Sequence, residues 1–235
     1  VIHLLKRILN QQINRLSMRT IKSILTIVFI AALTVAFTGC NEDDEIIPVV
    51  STTISNLPAD PGTGFDPTNG QPLGLTREFT FFSFKTGAIV VNADSTTANW
   101  DLGFNGTTII VNGTTSGPGT SVVQIVDGIF DELAEAPESG YLSDNDVAPI
   151  AGAPNTNLAI QTGSGKGWYT YDGAGMVNKP TAGKIIVVRT SENRYAKMEI
   201  LSYYKDAPAS PTFNNTARYY TFRYVYQPND TRSFN

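Results

Sequence analysis

Histidine and cysteine, the residues that most often carry catalysis or bind metals, occur once each in this chain of 235 residues, as His3 and Cys40. A nucleophile with a histidine base, and a zinc site of histidine and cysteine, need several such residues together. If the chain is cut before Cys40 and that cysteine is lipidated, the mature part has no histidine and no free thiol. Both chemistries are then excluded, and we expect the protein not to be an enzyme.

The segment before Cys40 has the three parts of an export signal. Met18 can serve as the start, Arg19 and Lys22 supply positive charge, and residues 24–37 are almost entirely apolar. This apolar stretch is shorter than the roughly 20 residues that span a bilayer, which argues against a transmembrane helix. Thr-Gly directly before a cysteine is typical of a lipobox, in which the thiol is diacylated before cleavage. We therefore predict lipidation at Cys40 and a lipid anchor in a membrane.

The residues after the cleavage site divide into a tether and a domain. The acidic run at 41–45 resembles the signal that sends some Gram-negative lipoproteins to the outer face of the cell, although a solvated tether would look the same. Residues 46–76 are rich in proline and glycine and are interpreted as a flexible linker. The predicted organisation is an upstream extension with signal peptide at 1–39, a lipidated tether at 40–76, and one folded domain at 77–235. The predicted location is the outer membrane, facing the exterior.

The charge of the mature chain bears on its partners. All 21 acidic residues follow Cys40, whereas five of the 17 basic residues precede it, which leaves a net charge of −9. Binding to phosphate backbones needs clusters of lysine and arginine. We therefore expect no nucleic-acid partner.

A few polar groups could still carry chemistry. Asp144 and Asp146 are close enough in sequence to hold Ca²⁺ or to act as acid and base, but two acids in a polar loop are usually only solvated. The glycine-rich run at 163–167 lacks the spacing of a phosphate-binding loop. A flexible loop accounts for that run.

The aromatic residues beside this loop are more informative. Trp168, Tyr169 and Tyr171 are nearly consecutive. Such side chains can form an apolar wall for a flat ligand or a sugar. Ordinary packing in a core is the alternative for each of them.

The elements that would position these residues are mainly strands. Short runs of alternating or continuous apolar residues, separated by turn residues, predict a mostly antiparallel all-β domain. Asn105-Gly106 and Glu192-Asn193 are predicted hairpin turns. One short helix is expected at 128–136. The predicted strands are 78–84, 87–93, 97–104, 107–111, 121–126, 184–190, 194–204 and 218–227.

Several segments, taken in order, resemble the HmuY family of bacterial haem-binding lipoproteins. The resemblance covers roughly residues 78–235, behind the lipobox. The segments that carry it are Trp100–Phe104, Gly167–Tyr171, Ile185–Thr190, Arg194–Met198, Ser202–Tyr204 and Tyr220–Gln227.

The resemblance implies an all-β fold, capture of haem at the outer membrane and its delivery to a TonB-dependent receptor. The founding member holds iron through two histidines, which the mature part of this chain lacks, and some relatives are understood to use methionine. A thioether is a soft ligand suited to ferrous haem. Met176 is then the preferred iron ligand, because Met198 alternates with core residues, and Tyr169 or Tyr171 could ligate as phenolates. The alternative is a non-enzymatic binding lipoprotein of the same fold for a glycan or a protein.

Overall fold

The computed structural model describes residues 47–66, 68, 71–148 and 157–235, together with His3, 5–7, 10 and 11. The chain divides into two compact units, Val1–Ile46 and Ile47–Asn235. The six described residues of the first unit are helical. Met18, Cys40 and the acidic run lie outside the described residues, so export and lipidation stay predictions. No helix among the described residues has the length and apolar character needed to cross a membrane.

The second unit is built from strands. Two short 3₁₀ turns are described in it, at Asn92–Asp94 and Phe130–Glu132. The described strands are β1 (Ser51–Pro58), β2 (Gly64–Phe65), β3 (Pro72–Leu73), β4 (Thr80–Ser83), β5 (Ala88–Val90), β6 (Leu102–Asn105), β7 (Thr108–Val111), β8 (Val122–Asp127), β9 (Tyr169–Asp172), β10 (Val177–Pro180), β11 (Lys184–Arg189), β12 (Tyr195–Tyr204) and β13 (Ala217–Gln227).

These strands form two main sheets and two small hairpins. The larger sheet has the order β1-β13-β12-β11-β8, and the second has the order β5-β4-β6-β7. The small hairpins are β2–β3 and β9–β10. Every pairing between these strands is antiparallel. The predicted fold class, a mostly antiparallel β protein, is confirmed.

The main core lies between the two sheets. Phe82 of the smaller sheet meets Phe222 and Tyr224 of the larger one, with ring centroids 5.3 and 5.8 Å apart. Alternate residues of β12 and β13 point into this core, as the sequence pattern predicts. The inward side chains of the two strands are Ala196, Met198, Ile200, Tyr220, Phe222 and Tyr224.

A second apolar layer covers the other face of the larger sheet. Ile185 and Val187 of β11 alternate with the residues that face the main core, and they pack with Phe130 and Phe234. The expected helix at 128–136 is reduced to the single 3₁₀ turn that brings Phe130 into this layer. The following chain is extended, and Glu135 forms an isolated bridge with Ser233. Pairing with the C-terminal segment therefore takes the place of the remaining helical turns.

The hairpin turns are close to where the sequence places them. The β11–β12 turn contains Asn193 with φ 58°, as predicted. In the β6–β7 hairpin Asn105 pairs with Thr108, so the turn is Gly106-Thr107, one residue later than expected. Only Gly106 of these two residues has a positive φ, which is the pattern of a type II′ turn.

The prediction of a flexible linker at 46–76 is wrong for its first half. Ser51–Pro58 forms β1, which pairs with β13 at the edge of the larger sheet. Leu57 is buried in the main core. Beyond the strand, the carboxylate of Asp60 accepts hydrogen bonds from the backbone N–H groups of Thr76 and Arg77. These long-range contacts order a segment whose local composition favours a linker.

Candidate functional site

The β9–β10 hairpin presents the candidate haem-binding residues. Asp172 pairs with Val177, and the residues between them form the tip, which ends at Met176. The Asp172 carboxylate accepts hydrogen bonds from the N–H groups of Ala174 and Gly175, both at 3.1 Å, and from Lys179 Nζ at 2.8 Å. The hydrogen bond from Lys179 is the main cause that lowers the pKa of Asp172. The tip is therefore held by one carboxylate.

Two predicted site residues are accessible on this hairpin. Met176 is 57% exposed and has φ 52°, in the left-handed region. Tyr171 is 48% exposed and lies one residue before the paired Asp172. The thioether and the phenol ring are therefore available to a ligand without rearrangement of the core.

Trp168 and Tyr169 are buried at the base of the same hairpin. Trp168 Nε1 donates to the carbonyl oxygen of Thr107 at 3.0 Å, and its ring packs 5.1 Å from that of Tyr220. The hydroxyl of Tyr169 accepts a hydrogen bond from the N–H of Gly163. Both side chains therefore connect the hairpin to the core, and their predicted contact with a ligand would need the hairpin to open.

Met198 lies in the centre of the larger sheet. It pairs with Ile186 on one side and with Tyr224 on the other, and it is fully buried. Its sulfur cannot reach a ligand bound to the outside of the domain. Among the methionines of residues 47–235, only Met176 has an accessible sulfur.

The side chains of the hairpin can be compared with the contacts that a bound haem requires. A porphyrin needs an apolar contact for its face and at least one axial ligand for iron. Met176 supplies a soft sulfur and Tyr171 a flat ring, while Lys179 on β10 supplies a positive charge of the kind that pairs with carboxylates. The chemistry of this set fits a haem with one protein ligand from the hairpin.

Asp144 and Asp146, the alternative acid pair, have backbone partners. The two carboxylate oxygens of Asp144 accept hydrogen bonds from Val111 N–H and Ala159 N–H, both at 2.9 Å. Asp146 accepts one from Ser143 N–H. In the described part of the chain, no group of three or more His, Cys, Asp or Glu residues could hold a metal ion. Asp144 therefore joins β7 to the loop around residue 159.

A cleft of about 470 Å³ lies between the smaller sheet and the β11–β12 turn, and it was not predicted from the sequence. Asp101, Glu192 and Tyr226 line it. Burial is the main cause that raises the pKa of Asp101 to about 6. The hydrogen bond from Phe84 N–H lowers this pKa, whereas the negative charge of Glu192 raises it further. Asp101 lies between two buried apolar residues, Trp100 and Leu102. The position of this charged residue was the only indication of the cleft in the sequence.

The two packed antiparallel sheets and the exposed hairpin define a β-sheet protein with an accessible edge. The family model described as HmuY protein matches residues 76–224. The chain therefore belongs to the HmuY family, which is a family of binding proteins. The sequence resemblance to that family is confirmed. Among curated proteins, none matches this chain.

Several solved structures are similar to this chain. A candidate HmuY-like haem-binding protein from Bacteroides vulgatus is 18% identical, with 76% of this chain and 93% of that chain covered and a TM-score of 0.45. The apo HmuY analog of Tannerella forsythia is 13% identical, with coverages of 79% and 100% and a TM-score of 0.45. A candidate lipoprotein from Bacteroides fragilis is 16% identical, with coverages of 76% and 90% and a TM-score of 0.44.

Proposed function

We propose that this protein binds haem at the β9–β10 hairpin, with Met176 as the protein ligand of the iron. The observation that carries the proposal is the contrast between its two mature methionines. Met176 is 57% exposed at the hairpin tip, whereas Met198 is fully buried. Family membership supports haem as the class of ligand, and the exposure of Met176 supports this residue as the iron ligand.

The neighbouring side chains support the same site. Tyr171 offers an exposed ring against which a porphyrin can pack. Lys179 lies on the adjacent strand and bonds only to the exposed Asp172 in the contacts described, so its ammonium group can also reach a haem propionate. A thioether ligand favours ferrous over ferric iron. Binding is therefore tighter under reducing conditions.

The proposal includes a location and a route for the haem. Cys40 carries the lipid that holds the domain at the outer membrane, and the acidic run after it directs the protein to the cell exterior. Haem captured there passes to a TonB-dependent receptor. The charge of −9 for the mature chain fits a soluble surface domain without a nucleic-acid partner.

A haemin titration tests the proposal. Residues 47–235 are titrated with haemin under oxidising and then reducing conditions, and the Soret band is recorded. We expect saturable binding with a sharpened band, stronger after reduction. Met176→Ala should abolish the sharpened band, whereas Ile129→Ala, which removes a similarly exposed apolar side chain beside the Phe130–Glu132 turn, should leave it intact. A flat response of the wild-type protein in both redox states would overturn haem binding.

The cleft lined by Asp101, Glu192 and Tyr226 favours a second candidate function, binding of a glycan. Carboxylates that accept from hydroxyl groups, beside an aromatic ring, are a lining suited to sugars. If the protein binds a glycan in this cleft, it should bind oligosaccharides, and Tyr226→Ala should weaken that binding. Binding that is indifferent to Tyr226→Ala, or no binding, would exclude this cleft as a sugar site.

A further inference from the structure

We propose that the end of the larger sheet at which β1 begins faces the membrane, and that the Met176 hairpin is presented at the opposite end, away from the lipid. This orientation rests on the lipid anchor of the proposed function, but not on haem binding. The partner of the near end is a lipid surface. The argument uses the length of the tether, the register of the sheet and the exposed residues at its near end.

The tether between lipid and domain is short. Six residues separate Cys40 from Ile47 in the sequence. Fully extended, the seven residue steps from Cys40 to Ile47 span at most about 25 Å. From Ile47 onward the chain is attached to the domain, because Asn229 Nδ2 donates to the Ile47 carbonyl and Val49 packs on the second apolar layer. The start of β1 therefore stays close to the bilayer.

The register of the larger sheet defines its two ends. At the near end Ser51 pairs with Val225, close to the last residue of β13. At the far end Pro58 pairs with Tyr219. The eleven residues of β13 extend about 33 Å at the usual rise per residue. The sheet is thus longer than the extended tether.

The Met176 hairpin is attached to the far end. Tyr204, the last residue of β12, pairs with Ala217 at the first residue of β13. The hydroxyl of Tyr204 accepts a hydrogen bond from the N–H of Asn178 on β10, at 2.9 Å. Asn178 is two residues from Met176. The start of β1 and the candidate haem site therefore lie at opposite ends of the larger sheet.

The near end has the surface that a lipid interface would accept. Ile47 and Val50 are 53% and 62% exposed, and they border a groove of about 560 Å³ that Tyr224 also lines. Lys85 and Arg194 line the same groove and pair with Glu192 and Asp230, so their contact with lipid phosphates requires these ion pairs to exchange. Apolar side chains with basic and aromatic neighbours are favourable at the boundary between headgroups and acyl chains.

Energy transfer to labelled lipids tests this orientation in the full lipoprotein. Cys40 is the only cysteine, and its acylated sulfur does not react with maleimides, so one introduced cysteine can be labelled selectively. Val50→Cys reports on the near end. Ala174→Cys and Phe213→Cys report on the far end, and none of these changes alters Met176. Each labelled protein is reconstituted into vesicles that contain a headgroup-labelled acceptor lipid.

We expect several-fold higher energy transfer from position 50 than from positions 174 and 213. Equal transfer from all three positions would overturn the orientation, because the domain would then lie on its side or rotate freely. Residues 47–235, which lack Cys40 and the export segment, are the control for the anchor and should not float with the vesicles. If the full lipoprotein also fails to float, the anchor and this orientation are overturned, while haemin titration of residues 47–235 still decides haem binding separately.

Discussion

The ammonium group of Lys197 donates a hydrogen bond to the carbonyl oxygen of Phe130, with 2.7 Å between Nζ and O, although 67 positions separate the two residues. A second bond reaches the Leu133 carbonyl at 2.9 Å. The Lys197 charge also lies 4.6 Å from the centre of the Phe130 ring. Lys197 is 4% exposed, so one buried cation holds the 3₁₀ turn against the larger sheet.

Replacement of this cation should destabilise the domain. Lys197→Met keeps the apolar stem but leaves two carbonyl oxygens in the second layer without their donor. We expect the free energy of unfolding to fall by about 3 kcal/mol, the usual size for loss of charged hydrogen bonds at buried partners. Urea unfolding followed by tryptophan fluorescence measures the change.

The matched control is Lys166→Met, which removes the same charge from an exposed loop position. It should change the free energy of unfolding by no more than about 0.5 kcal/mol. Equal effects of the two substitutions would show that Lys197 contributes only its charge to the whole domain.

Asp101 should make stability depend on pH in the direction opposite to most carboxylates. Its pKa in the folded state is about 6, above its ordinary value of 3.8, mainly because it is buried. Between these values the folded state binds more protons than the unfolded state, so the free energy of unfolding falls as pH rises from about 4 to 6. The total contribution is at most about 3 kcal/mol.

Asp101→Asn keeps an oxygen for the N–H of Phe84 and removes the titration. We expect this variant to lose the fall in stability across that pH range and to gain stability at neutral pH. Urea midpoints at several pH values compare it with Asp94→Asn, which changes another carboxylate of the same cleft. If Asp101→Asn keeps the wild-type pH profile, the Asp101 carboxylate is not the cause.

The β11–β12 hairpin and the faces of β12 and β13 follow from local pattern, and so they could be predicted. Alternation places Met198 and Phe222 inward because a strand turns successive side chains to opposite faces. The same alternation places Lys197 on the polar face of β12. Only the distant Phe130 and Phe234 make that face a second buried layer, and no local signal reports contacts of that range.

The candidate site residues could be proposed from the sequence, but which of them are exposed could not be predicted. Met176 and Tyr171 are accessible, as ligand contacts must be, but Trp168 and Tyr169 face the core. An aromatic cluster looks the same in sequence whether it lines a pocket or packs under a hairpin. The β9–β10 hairpin itself was missed, because the glycine-rich tip before Met176 has the composition of a loop while the flanking strands have four residues each.

Asp144 should stabilise the fold through its hydrogen bonds and should not bind calcium. Asp144→Ala leaves the N–H groups of Val111 and Ala159 without acceptors in a buried position, which should lower the free energy of unfolding by roughly 2 to 4 kcal/mol. Asp146→Ala, which removes one bond at an exposed residue, should have a smaller effect. Neither Ca²⁺ nor EDTA should shift the melting temperature of the wild-type protein, and a rise with Ca²⁺ that Asp144→Ala abolishes would restore the calcium hypothesis.

Met176 should be oxidised by dilute hydrogen peroxide before Met198. Oxidation of methionine needs access to the sulfur, and residues 47–235 contain one exposed and one buried methionine. Peptide mass spectrometry should show sulfoxide at Met176 while Met198 is intact. Because the sulfoxide oxygen changes the thioether proposed as the iron ligand, haem binding at Met176 requires that the oxidised protein also lose its haem spectrum in the same proportion. Met176→Leu controls for damage elsewhere, since peroxide should leave the urea midpoint of this variant unchanged. Sulfoxide at Met198 in the folded protein would contradict the burial of that residue.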